Sequence, residues 1–340
     1  MLRASALLAT LGVASAHSSL IRPPSRNSIE STLPEWQKNP FYSKPDGWGC
    51  NCMNGSSPCA PGQSCFWFSQ GSTIGCEKAT GAPSNPNTKS FCNSTKKATV
   101  NDPLDRTYNR AAAAGSAADI YKHNPWRAPG NAPVFHPCGM AGGGPHHEGG
   151  EAEYTTTSIA KQGDSGAVLP YRPTGTVWKV GSVVETGLSI RANHGGGWQY
   201  RLCPYNPKAN LTEACFQEMP LAFASDHHTL EWSDGSQMTI PARYITEGTQ
   251  PAGHAWVQNP LPYSNSANPP EFPPPCNETV DRKHSDTGRC SGRDPFDVLI
   301  LNTLQVPKDI TPGPYVLGLR WDCEKSAQIW QSCADLTIEA

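Results

Sequence analysis

Val184-Glu-Thr-Gly-Leu-Ser-Ile-Arg-Ala-Asn-His-Gly-Gly-Gly-Trp-Gln-Tyr-Arg-Leu202 is the stretch that decides the fold. Val184, Thr186, Leu188, Ile190 and Ala192 alternate with mostly polar neighbours, a period-two pattern that turns one face of a β-strand inward. Trp198 to Leu202 alternates in the same way. Gly195, Gly196 and Gly197 separate the two runs, and the spacing predicts a hairpin with a glycine turn. Working outward, Leu230-Glu-Trp232 and Gln237-Met-Thr-Ile240 flank Asp234-Gly235, a second hairpin signal. Residues 259–276 read as a Pro/Asn/Ser loop, and 296–306, 315–321 and 328–338 supply three more strands. Tyr315, Leu317, Leu319 and Trp321 share a face by period two.

Upstream, residues 17–100 are rich in Cys, Ser, Asn and Pro and read as an opening strand followed by a long loop region. Asn101 to Asn124 holds Arg110-Ala-Ala-Ala-Ala114, a short helical insertion weakened by Gly115. Residues 125–150 are Gly/Pro-rich loop, and no internal repeat is visible. The expected class is all-β: an immunoglobulin/fibronectin-like antiparallel β-sandwich with long disulfide-pinned loops and a short helical insertion. Composition agrees. The 340 residues include 31 glycines and 33 prolines, close to a fifth of the chain, with 37% hydrophobic and 16% charged residues. That excludes a helical bundle or coiled coil. A formal net charge of −2 gives no reason to expect a nucleic-acid partner.

Met1-Leu-Arg3, the apolar run Ala4 to Val13 and the small-residue site Ala14-Ser-Ala16 form a secretory signal. The apolar run is too short to span a bilayer. The expectation is that residues 1–16 are removed and that 17–340 form one secreted, extracellular domain, a monomer with no membrane partner. Four Asn-x-Ser/Thr sites (Asn54, Asn93, Asn210, Asn277) make it a candidate glycoprotein. Secretion favours disulfides over a metal knot for the crowded Cys50, Cys52, Cys59, Cys65, Cys76 and Cys92. Thirteen cysteines is an odd number, so at least one thiol is left over. Cys203 with Cys215 and Cys323 with Cys333 are plausible local bridges.

Cleavage after Ala16 makes His17 the first residue. A first-position histidine offers two nitrogens, its free α-amine and its ring Nδ1, and a second histidine completes a three-nitrogen set that favours copper. The plain alternative is an idle first residue. His194 is the best-placed second ligand, at the end of a strand and against three glycines. His146-His147, in a Gly-rich tract, read as solvated loop, and His227-His228 as surface residues. His123, His136, His254 and His284 carry no usable pattern.

His17-Ser-Ser-Leu-Ile-Arg-Pro-Pro-Ser-Arg26 resembles the mature start of lytic polysaccharide monooxygenases, most closely the chitin-binding type-4 group and its eukaryotic insect-type relatives. Ala192-Asn-His-Gly-Gly196 with Tyr200-Arg-Leu-Cys203 resembles their second-histidine segment. Arg320-Trp-Asp-Cys323 and Ser332-Cys-Ala-Asp-Leu336 resemble their C-terminal segment; residues 40–150 have no counterpart. The resemblance implies one copper per chain, held by the amine and Nδ1 of His17 and by Nε2 of His194. It implies that Gln328 is the amide beside the reacting oxygen and that Ala192 is the small residue bordering one axial side. The position of the family's axial Tyr or Phe is Trp330, a departure. The implied activity is oxidative cleavage of β-1,4-linked polysaccharide, chitin or cellulose in crystalline or insoluble form, with an external electron donor (a reductant) plus H2O2 or O2. Trp36, Phe41, Tyr42, Trp48, Phe66, Trp67 and Phe68 are candidates to stack on sugar rings; most are expected to be core or disulfide-packing residues, with only one or two facing substrate. The alternative is a secreted copper-binding or carbohydrate-binding protein without oxidative activity. A hydrolase ranks below both, since no paired-carboxylate motif stands out.

The secreted protein is expected to begin at His17. Intact mass and N-terminal sequencing check this, and a start elsewhere removes the amine from the ligand set.

Overall fold

The computed structural model describes residues 17–33, 63–70, 124–145, 152–172, 174–232, 235–265, 269–276, 290–292, 298–326 and 328–340. The helix expected within Asn101–Asn124 lies outside these residues, as do His146, His147, Trp36, Phe41, Tyr42 and Trp48. Two sheets face each other. The first joins β1 (His17–Arg22), β5 (Val183–Ala192), β12 (Val298–Gln305), β8 (His227–Trp232) and β9 (Gln237–Pro241) in that order, with β7 (Ala222–Phe223) also on β12. The second runs β10 (Tyr244–Ile245), β11 (Trp256–Gln258), β6 (Gly197–Pro204), β13 (Gly313–Asp322), β14 (Gln328–Glu339), β2 (Trp67–Gln70) and β3 (Met140–Ala141). The short β4 (Val177–Lys179) adds to β14 in parallel, and the other pairings are antiparallel. The architecture is the antiparallel, immunoglobulin-like β-sandwich that the alternation predicts.

The inner faces carry the core. Leu188 and Ile190 of β5, Leu230 of β8 and Ile300 of β12 meet Trp198, Tyr200 and Leu202 of β6 and Leu317, Leu319 and Trp321 of β13, all buried in one cluster. The shared face of Tyr315, Leu317, Leu319 and Trp321 is therefore the core face. One polar knot sits inside it: Asn302 accepts from Trp198 Nε1 at 2.9 Å and donates to His228 Nδ1 at 2.8 Å. His228 is consequently buried rather than on the surface, and burial pulls its pKa down to about 3, so the ring is neutral. His227, its neighbour on the strand, remains partly exposed.

Two further expectations change. The hairpin predicted across Gly195 to Gly197 does not form: β5 pairs with β1 and β12, whereas β6 pairs with β13 and β11. The glycines carry the chain across from one sheet to the other. Gly196 has φ +76°, and a Cβ there would strike the carbonyl of Asp322, so close approach explains the glycine. The Asp234-Gly235 signal does join a hairpin, β8 with β9. Second, Cys323 and Cys333 are not bridged. In the β13–β14 register Cys333 lies opposite Gly318, well inside the sheet from Cys323. Cys333 bonds Cys138 instead, and Cys323 is a buried free thiol. Cys203–Cys215 forms as expected, Cys276–Cys290 adds a further bridge, and Cys65 is disulfide-bonded. The N-terminal aromatics within the described residues are core, as expected of most of that set: Trp67 and Phe68 are fully buried and Phe66 nearly so, which removes these three from sugar stacking. Asn210 is the one sequon asparagine among the described residues, and it is exposed.

A six-residue helix, α1 (Glu213–Glu218), was not anticipated; Thr212 caps it by accepting from Cys215 N–H at 3.2 Å. Its Glu213 bonds both Arg201 and Arg320 on the outer face of the second sheet, at 2.5 and 2.8 Å. Burial acts to raise the Glu213 pKa, but the two guanidinium groups outweigh it and hold it low. Arg320 also bonds Asp322 at 2.7 Å and the Ala132 carbonyl at 2.8 Å, and Asp322 accepts from Gly130 N–H at 2.8 Å. This ion cluster fastens the 124–134 loop to the sheet.

Just after β1, Glu30 is fully buried and accepts from Tyr154 Oη and, at 2.8 Å, from Thr157 Oγ1. Burial dominates these bonds and raises its pKa from 4.5 to about 7. A folded-state pKa above the unfolded value adds stability that is complete below about pH 4.5 and is lost as pH climbs through about 7. Over that window, unfolding of the wild type is expected to lose roughly 3 kcal/mol relative to Glu30→Gln. Urea titrations on either side of the window check this; parallel pH profiles would contradict it.

Candidate metal centre

The β1–β5 pairing fixes where the predicted first residue lies. His17 is in register with Ala192, Ser18 with Ile190 and Leu20 with Leu188. The step from His17 to Ser18 skips Arg191, a β-bulge at the end of the ladder; bulges of this kind re-aim side chains at strand ends. The backbone of His17 thus lies beside Ala192, two residues before His194.

His194 is buried and held on three sides. Its carbonyl accepts from Glu324 N–H at 3.0 Å and Lys325 N–H at 2.9 Å, which ties it to the β13–β14 connection. Its ring Nδ1 lies 2.9 Å from Ser326 Oγ, and the same hydroxyl is 3.1 Å from Gln328 Oε1. The neighbouring Asn193 spends its whole amide on the loops around it. Its Nδ2 donates to the Leu261 carbonyl at 2.9 Å and the Gly292 carbonyl at 3.3 Å, while its Oδ1 accepts from Gly195 N–H at 2.9 Å and Asn259 Nδ2 at 2.8 Å. Trp321 Nε1 donates to the Gly195 carbonyl at 2.7 Å, and the Glu324 side chain packs over Gly195. On the rim, Lys325 pairs with Glu271 and lies 4.9 Å from the Tyr263 ring centre.

The predicted residues separate as follows. His17 (by its backbone), Ala192, His194 and Gln328 come together at one end of the sandwich. Gln328 is buried and opens β14, on the same inward face as Trp330. Trp330 is fully buried and stacked on Phe68, with ring centres 4.2 Å apart and planes at 22°. The two residues are cross-strand partners of β14 and β2, so their rings stack side by side on the core face. Cys323 meets Ser326, and burial pushes its thiol pKa well up, so it remains protonated. Asn193 and Ser326 are not among the residues that the sequence marks as functional. Asn193 was visible as the residue joining strand to histidine, but nothing in the sequence marks Ser326 as a partner of His194.

Two nitrogens from an N-terminal histidine and one from His194 would make an all-nitrogen donor set, the chemistry copper prefers. The occupied Nδ1 of His194 makes Nε2 the nitrogen to present to a metal, so His194 and the backbone position of His17 fit such a group. Among the described residues no three His, Cys, Asp or Glu side chains gather as a metal cluster.

No protein-family signature and no curated protein matches the chain. Solved structures do give likenesses. They are chiefly lytic polysaccharide monooxygenases. One, from Thermobia domestica in its Cu(I) state, is 19% identical over 48% of this chain, at a TM-score of 0.26; the match spans 62% of that protein's length. A chitin-binding domain from Burkholderia pseudomallei is 14% identical, covering 95% of this chain and 100% of its own, at 0.35. A lytic polysaccharide monooxygenase from Streptomyces lividans is 11% identical, covering 94% and 99%, at 0.30. TM-scores of this size carry no argument; the fold rests on its strand register and the site on the distances above.

Asn193→Ala removes two buried donors and the acceptor of two others. It is expected to destabilise the protein by about 2–4 kcal/mol in urea unfolding. A change within about 0.5 kcal/mol would show that the asparagine does not anchor this segment.

Proposed function

We propose that the chain is a secreted copper oxidoreductase that cleaves β-1,4-linked polysaccharide, chitin or cellulose, by oxidation. The observation that carries this reading is the register of His17 with Ala192, which brings the first residue of a cleaved chain to the same strand end as His194. The sequence resemblance at 17–26, 192–203 and 320–336 supports it. Once residues 1–16 are removed, the amine and Nδ1 of His17 with Nε2 of His194 would hold the metal. When bound, copper supplies the one-electron chemistry that activates H2O2 or O2.

The net step replaces C–H by C–OH at C1 or C4 of a glycosidic bond. With H2O2 the other product is water. With O2, two electrons from a reductant and two protons are also consumed. The hydroxylated carbon then expels the neighbouring sugar, and the chain breaks with one oxidised end. The protein's part is placement. The Glu324 and Lys325 amides and Ser326 hold His194, Asn193 fixes the strand end that carries it, and Gln328 sets a polar amide on the adjoining face. Ala192 keeps the position opposite His17 small. Trp330, packed on Phe68, acts as the wall behind this end of the core.

Protein beginning at His17 is expected to bind one copper, and His194→Ala to weaken binding by more than ~100-fold, beyond the usual loss from an outer-shell partner. Calorimetric copper titration checks this, together with mass spectrometry of products from chitin and cellulose given reductant and H2O2. Affinity unchanged in His194→Ala would sink the metal site. Tight copper with no oxidised ends would leave a copper-binding protein, and non-oxidised reducing ends would indicate a hydrolase.

A further inference from the structure

Ser326 Oγ stands between two groups of different hydrogen-bonding character, 2.9 Å from His194 Nδ1 and 3.1 Å from Gln328 Oε1, with the Gln328 backbone N–H at 3.4 Å. A hydroxyl has one proton and two lone pairs. The amide oxygen of Gln328 can only accept, so the hydroxyl proton goes there. The backbone N–H can only donate, so it takes one lone pair. The Cys323 thiol, which also meets this hydroxyl, is protonated and comes to it as a second donor beside the 3.4 Å backbone N–H, so it makes no claim on the serine proton. His194 Nδ1 at 2.9 Å therefore also faces a lone pair of the hydroxyl and must carry the proton. A neutral imidazole has a single N–H, so Nε2 is left with its lone pair.

We propose that Ser326 is a positioning residue, the centre of a directional relay from His194 Nδ1–H through Ser326 O–H to Gln328 Oε1. The relay does two things at once. It sets the histidine tautomer whose Nε2 is a ligand, before any metal arrives. It also fixes the amide of Gln328 with Oε1 toward Ser326, so Nε2, its donor end, is the end turned away from the hydroxyl. Metal-ligating histidines are commonly oriented through the other ring nitrogen; here the orienting group is a serine that also sets the amide two residues along the chain. The reverse polarity would require the amide to be flipped and would place the proton on Nε2. The relay is a property of the metal-free protein, and its catalytic meaning rests on the copper reading above.

The test uses metal-free, 15N-labelled protein beginning at His17, near pH ~8 where an ordinary imidazole is neutral. Long-range proton–nitrogen correlation spectra report the tautomer of His194. The expected result is Nδ1–H in the wild type and in Ser326→Thr, which keeps the hydroxyl. Ser326→Ala is expected to give a mixture led by Nε2–H. Gln328→Leu, a second route should Ser326→Ala fold poorly, frees the serine proton and is expected to shift the tautomer the same way. An Nε2–H wild type, or an Nδ1–H form unchanged in both Ser326→Ala and Gln328→Leu, overturns the relay. Copper titration of the same samples is expected to show affinity about 10–100-fold weaker in Ser326→Ala and retained in Ser326→Thr. Nδ1–H with no copper binding upholds the relay and removes the oxidative reading; copper binding to an Nε2–H wild type does the reverse.

Discussion

The antiparallel pairing of β1 with β5 is the constraint on which the rest of the site depends. Strand register is discrete: a slip of one residue sends each side chain to the opposite face. Leu20 is buried in the core on one side of that ladder and Ile21 packs with Leu299 and Leu301 on the other. A slipped β1 would exchange them, exposing neither surface to water but unpacking both. The burial of these two leucine-sized groups therefore holds a residue several positions away, His17, opposite Ala192. The bulge at Arg191 adjusts the last pair, and a second irregularity lies between Leu20 and Arg22, at Ile21.

Around that ladder the fold spends buried polar groups to fasten loops. Asn193, the Arg201–Glu213–Arg320–Asp322 cluster and the Asn302–His228 pair each join segments far apart in sequence. Such groups contribute little net stability when satisfied but cost several kcal/mol when one partner is removed. Their value is in definition: the chain crosses from the first sheet to the second at 193–197 along one path, since Asn193 on one side and the close approach of Gly196 to Asp322 on the other exclude alternatives. A strand end that is also a crossover between sheets is a rigid place from which to present a side chain.

What the sequence disclosed follows the same physics. Alternation over 184–192, 198–202 and 315–321 marks which residues point inward, and those strands and their core faces stand in the structure, as does the strand expected over 328–338. Alternation says nothing of partners, so the two runs around Gly195–Gly197 read as a hairpin though they belong to different sheets. The Cys323–Cys333 pairing failed for a related reason: closeness in sequence is not closeness in register, and the β13–β14 ladder sets Cys333 opposite Gly318. His17, His194 and Gln328 stand out in the sequence by residue type and motif, and the structure sets the His17 backbone, His194 and Gln328 near one strand end; their role toward a metal is the proposal above. Ser326 does not stand out, since a serine is common in any loop, and Asn193 stands out only as the residue between strand and histidine; the bonds of both exist only through the groups that the folded chain brings to them.

The pairing of His17 with Ala192 has a consequence for the life history of the molecule. While residue 16 is attached, the nitrogen at position 17 is an amide, whose lone pair is delocalised into the carbonyl and is a poor ligand. On the proposed reading the precursor is latent, its strand able to fold into place with one donor missing. The cut that releases the chain from its leader is then also the step that arms it, so reactive chemistry starts on the far side of the secretory membrane and not among the cell's own components.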